Sequence, residues 1–133
     1  MEFSVSDHYE LMALHRVIME AKFAEDPNDP CIQGSPLVSA IADRVVESLI
    51  EMDINKYGED SHLRWQEWRK VDLERREYKI IKTKLQSKDS LKNLDSDGYS
   101  EYVKCLFSPL QISDELIDQL LISAKIAQSK NSL

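Results

Sequence analysis

Glycine is almost missing from this chain. Its three copies, Gly34, Gly58 and Gly98, stand far apart, so no glycine-rich loop is available to wrap backbone amides around a phosphate. Cysteine is as scarce. Cys31 and Cys105 form no CxxC pair, which speaks against a secreted, disulfide-built scaffold. Both are expected as reduced thiols, Cys105 in the core and Cys31 in a loop. The histidines are His8, His15 and His62. His8 and His15 are seven apart, whereas a ligating pair on a helix stands three or four apart. No GxSxG elbow and no local Cys–His signature offers a nucleophile, so no catalytic residue is assigned.

Long apolar runs are also lacking. None approaches the roughly 18 residues that span a bilayer. The first residues lack the basic and apolar regions of a signal peptide, and Lys130–Leu133 is not a lipidation signal. These absences predict a cytoplasmic chain without a membrane partner. No stretch alternates apolar and polar residues long enough to read as a strand.

What is present is charge and helical periodicity. The 133 residues hold 24 acidic against 17 basic side chains, a net of −7. The length fits one domain over residues 1–133. Such a chain can bury roughly two thirds of its unfolded surface without help from metal or disulfides. The negative total disfavours nucleic acid as a whole-surface partner.

Proline and glycine divide the chain into helix-length pieces. Leu11, Leu14, Ile18 and Ala21 recur at +3 and +4, predicting a first helix over about 6–23 with that face buried. Two X–Pro steps, at Pro27 and Pro30, predict a long loop over about 24–35. Ser35 as N-cap with Pro36 behind it opens a second helix, which Gly58 closes. Its apolar surface from Leu37 to Ile54 is the widest in the chain and reads as the centre of the core.

The third helix is expected to run from about Asp60 to Gln86. Its seam is Trp65, Trp68 and Val71, resuming at Tyr78, with charges of alternating sign around it. Trp65 and Trp68 read as core anchors or as interface residues. A polar loop is expected over about 87–98, then a short helix from Tyr99 to Phe107. Ser113 caps a last helix, and a frayed tail is expected over about 129–133. The sum is an all-α fold: a compact antiparallel bundle of four to five helices with one long charged helix.

Three binding readings arise. From Arg64 to Lys88 nine basic residues stand against four acidic ones, a net of +5 that leaves the remainder at −12. The first reading is a non-enzymatic interaction module of inhibitor, immunity or adaptor type. Its acidic surface, represented by Glu25, Asp26, Asp29, Asp95, Asp97 and Glu101, engages a basic partner protein. The second is nucleic-acid or phosphate binding through Arg69, Arg75, Arg76, Lys79 and Lys82. The third is calcium binding, because Asn93, Asp95, Asp97, Gly98 and Glu101 resemble positions one, three, five, six and nine of an EF-hand loop. Position twelve is then Lys104, where a bidentate glutamate belongs. No cofactor is expected. A homodimer through the third helix is a further reading of the same seam.

Overall fold

A computed structural model describes residues 1–87 and 94–131. The described residues form six helices: α1 (His8–Lys22), α2 (Pro36–Tyr57), α3 (Glu59–Arg69), α4 (Arg76–Gln86), α5 (Ser96–Phe107) and α6 (Asp114–Asn131). No strand occurs among them, and no helix is long and apolar enough to cross a membrane.

The helix starts follow from local chemistry. Asp7 accepts from the Glu10 amide at 3.2 Å, and Ser35 accepts from the Val38 amide at 3.2 Å with Pro36 at the first helical position. Asp95 accepts from the Gly98 amide at 2.6 Å, and Ser113 from the Leu116 amide at 3.3 Å. Each satisfies one of the amides that a helix start leaves without an internal partner. α5 therefore starts before Tyr99, because Asp95 is its cap. The expected polar loop is shortened at that end. Residues 88–93 lie outside the described residues. At the other terminus, helix continues past Gln128 to Asn131.

Gly58 is the joint between α2 and α3. Its φ of +90° and ψ of −174° lie in a region that only glycine enters without strain. An added Cβ would meet nothing within 4 Å, so the cost of a side chain there is purely conformational. Gly58→Ala is expected to lose about 1–3 kcal/mol of stability, read as a lower urea midpoint at unchanged slope. An unchanged midpoint would show that the joint relaxes instead.

The third helix is not the long charged helix that the pattern suggested. It is two helices, α3 and α4, separated by Lys70–Arg75, so the described residues hold six helices where four to five were expected. The physical reason lies in the seam. Between Val71 and Tyr78 the +3 and +4 positions hold Glu74 and Arg75, so a continuous helix would turn charge toward the core. Instead the chain extends. The Val71 amide donates to the Gln111 carbonyl at 3.1 Å, and the Gln111 amide to the Arg69 carbonyl at 2.7 Å. The Asp72 carboxylate then accepts from the Glu74 amide at 2.9 Å, a side-chain turn that competes with helix.

Contacts at both ends fix the arrangement of the first half. Lys22, at the end of α1, meets Ser39 at the start of α2, and His8 meets Asp53 near the opposite ends. The two helices are therefore antiparallel. α3 returns along α2, with Trp65 on Asp53 and Arg69 on Asp43 and Glu47. Leu11, Ile18, Ala42, Val45 and Leu49 form the buried cluster here.

The larger cluster lies elsewhere. It holds thirteen buried residues, mostly from α4, α5, α6 and the 108–112 turn, with Ile81, Val103 and Phe107 the most deeply buried. The core is thus not centred on the α2 surface; Leu37 and Ile41 of that surface are exposed. The two tryptophans of α3 bridge the halves, Trp65 packing on the smaller cluster and Trp68 on the larger. α1 is rotated from expectation as well. Its buried face is Leu11, His15, Ile18 and Lys22, with Leu14 and Ala21 half-buried.

Candidate functional site

The six acidic candidates are all exposed. Glu25, Asp26 and Asp29 lie on the α1–α2 loop, where Asp29 accepts from the Cys31 amide at 2.9 Å. Asp95, Asp97 and Glu101 lie on the start of α5. The structure therefore places them as two groups on separate elements. The loop meets α5 at Gly34, whose carbonyl accepts from the Cys105 thiol at 3.5 Å.

The calcium-like segment is divided the same way. Asn93 lies outside the described residues, Asp95 is the cap of α5, and Asp97 and Glu101 project from helix rather than from a loop. Among the described residues no group of three or more His, Cys, Asp or Glu side chains could hold a metal ion.

The basic candidates divide into inward and outward sets. Arg69 is buried. Its guanidinium donates to the Pro109 carbonyl at 2.9 Å and pairs with Glu47 at 2.5 Å and Asp43 at 3.4 Å. Arg75 donates to the Trp68 and Lys70 carbonyls and to Glu77 at 2.7 Å, and lies 5.2 Å above the Trp68 ring. Arg76 is exposed, with one nitrogen donating to the Phe23 carbonyl at 3.3 Å. Lys84 donates to the Ala24 carbonyl and to Gln33, both at 2.8 Å. Gln33 in turn donates to the Lys22 carbonyl. Gln33 and Arg76 thus supply donors to the carbonyls that end α1, and Lys84 to the carbonyl just beyond it. Lys79 is exposed, 3.8 Å from Glu74, and Lys82 is half-exposed.

Lys22 was not singled out from the sequence, yet its side chain is fully buried. Its ammonium donates to the Ser39 hydroxyl at 2.8 Å, to the Cys105 carbonyl at 2.9 Å and to the Ser108 carbonyl. Three donors meet three acceptors. Burial pushes its pKa down to about 8, against the weaker opposing fields of Cys105 and Asp43. A lysine of lowered pKa beside a serine is the geometry of a base and a nucleophile. Here Ser39 is buried too, and its hydroxyl donates to the Cys105 carbonyl at 2.7 Å. The contact works as a tie between α1, α2 and the end of α5. The available signal was the +4, +3, +4 spacing of Leu11, His15, Ile18 and Lys22, which sets two polar residues on the buried stripe.

His15 leads to the other unexpected feature. It stands against Trp65 and Trp68, with ring centroids 6.0 and 5.2 Å away. The two indoles are themselves 5.4 Å apart. Burial, and to a lesser degree the neighbouring Arg16, lowers the imidazole pKa, which favours the neutral ring. Met12, Asp53, Ser61 and Arg64 complete a groove of about 300 Å³ around these rings. The indole N–H of Trp65 donates to Asp53 at 2.8 Å. Trp65 and Trp68 are both half-buried, so they anchor the core and line a surface opening at once.

No protein-family model matches this chain, and no curated protein or solved structure does.

Proposed function

We propose that this chain is a non-catalytic interaction module whose acidic exterior engages a partner protein with a basic surface. The observation that carries this reading is how the cations are used. Arg69, Arg75, Arg76 and Lys84 are turned onto the chain's own carbonyls and carboxylates. Glu25, Asp26, Asp29, Asp95, Asp97 and Glu101 are exposed. An exterior of one dominant sign steers encounter with an oppositely charged surface and rejects like-charged ones.

The test is an affinity capture read by mass spectrometry, run in parallel with a variant carrying all six acids as their amides. Wild type is expected to retain proteins with basic surfaces, to release them at raised salt, and to lose them in the amide variant. Duplex DNA and single-stranded RNA are offered at low salt alongside, to wild type and to Lys79→Glu/Lys82→Glu. Capture indifferent to the six amides would sink the proposal. So would nucleic-acid binding that the double lysine reversal abolishes, which would move the function to α4.

A further inference from the structure

The groove lined by His15, Trp65 and Trp68 has a geometry that core packing alone does not require. The three ring planes stand steeply to one another: 75° for His15–Trp65, 67° for His15–Trp68 and 82° for Trp65–Trp68. Edge-to-face packing accounts for any one pair. Three rings at once, nearly mutually perpendicular around one groove, also have the angles of a three-walled corner. A cation held about 4 Å above each of three perpendicular rings would need their centroids about 5.7 Å apart, well within cation–π range. The separations here run from 5.2 to 6.0 Å. Trp68 already receives a cation, since Arg75 sits over it, and Arg75 is not among the residues lining the groove.

The charges around the corner narrow the ligand. Asp53 brings a carboxylate to the groove wall, where one oxygen accepts from Trp65 and the other lies 3.3 Å from His8. Arg64 brings a guanidinium, one of whose nitrogens donates to the Ser61 hydroxyl at 3.0 Å. A guanidinium carries five N–H groups. The groove therefore holds one negative and one positive group beside electron-rich faces. A simple cation would satisfy Asp53 and be opposed by Arg64. A molecule with both charges meets each with its opposite. A primary ammonium would also lose its water hydrogen bonds against ring faces, whereas a methylated one has no N–H to satisfy.

We propose that this groove binds a small zwitterion of the betaine class. Its quaternary ammonium sits in the corner of His15, Trp65 and Trp68 near Asp53, and its carboxylate sits on Arg64. The volume, about 300 Å³, stands at the small end of ligand sites and suits a molecule of amino-acid size. The site is separate from the six exposed acids, so its occupancy does not depend on the protein-partner reading.

The chain reports on this site by itself, because its only two tryptophans are the two in the corner. Glycine betaine, tetramethylammonium and acetate are titrated separately against the intact chain, following tryptophan emission. Betaine is expected to give a saturable change, with half-saturation below about 10 mM and each half-molecule roughly tenfold weaker. Saturation separates binding from the general, non-saturating action of an osmolyte. Arg64→Gln is expected to weaken betaine about tenfold while leaving tetramethylammonium unchanged. Asp53→Asn, whose amide oxygen can still accept from Trp65, should weaken both. No saturable response from the folded wild type would mean that the rings are a packed cluster only. Equal betaine affinity in wild type and Arg64→Gln would also overturn the zwitterion.

Discussion

Arg69→Met is expected to cost about 2–4 kcal/mol, among the largest losses available to a single side chain here. The reason is position rather than charge pairing. Its acidic partners keep much of their contact with water, with side-chain exposures of 48% for Asp43 and 63% for Glu47. Freed from the arginine, they would rehydrate at little cost. The Pro109 carbonyl is buried and would lose its donor. The arginine stem also fills space where α3 ends, and the same residue's carbonyl accepts from Gln111. Side chain and backbone of one residue thus clamp the α3–α4 break to the 108–112 turn. Glu47→Gln provides the contrast, with a loss under about 1 kcal/mol, as exposed pairs show. Urea midpoints at constant slope measure both. Equal losses for the two variants would mean that the ion pair, not the clamp, carries the energy.

Lys22→Ala is expected to lose about 3 kcal/mol or more. It leaves a cavity at a fully buried position and takes the donor from the Ser108 carbonyl. Lys22→Met keeps the volume and isolates the charge. The lysine's pKa falls from 10.5 to about 8 on folding. Between those values the unfolded chain holds a proton that the folded chain has released, so this group makes stability rise with pH. Below about pH 8 both states are protonated and the full penalty for burying the charge is present. Wild type should therefore gain stability relative to Lys22→Met as pH climbs from 8 toward 10.5, and the two should run parallel from pH 6.5 to 7.5. A difference that stays flat across the alkaline range would show that the amine remains charged in place.

Local signals were readable where they acted alone. Ser35, Pro36 and Gly58 bound α2 to the residue, and Ser113 opens α6, because a cap needs only its own neighbours. The long third helix failed because good helical spacing on either side of Val71 hid the seven-residue gap in the seam. The extended pairing that fills it comes from Gln111, forty residues away. The start of α5 was missed because Asp95, spaced like a metal ligand, is a helix cap.

The candidate site was legible in part. Glu25, Asp26, Asp29, Asp95, Asp97 and Glu101 stand in a polar loop and at a helix start, and all are exposed. The use of the arginines was not legible. Arg76 and Lys84 bond to main-chain carbonyls at 23 and 24, and a carbonyl leaves no mark in a sequence. The aromatic corner was half visible. Trp65 and Trp68 share a helix face, but His15 joins them only once α1 and α3 lie together.

The donors that close the end of α1 have a further consequence. A short helix cut off from the rest would leave its last carbonyls to water. Here those of Lys22 and Phe23 accept from Gln33 of the loop and Arg76 of α4, and the next carbonyl, of Ala24, accepts from Lys84. The last turn of the loop and the fourth helix are thereby tied to the end of α1. A fragment ending at residue 70 would retain Gln33 but lose Arg76 and Lys84, so this terminus is expected to fray. The two clusters are accordingly joined at this terminus, although each has its own apolar centre.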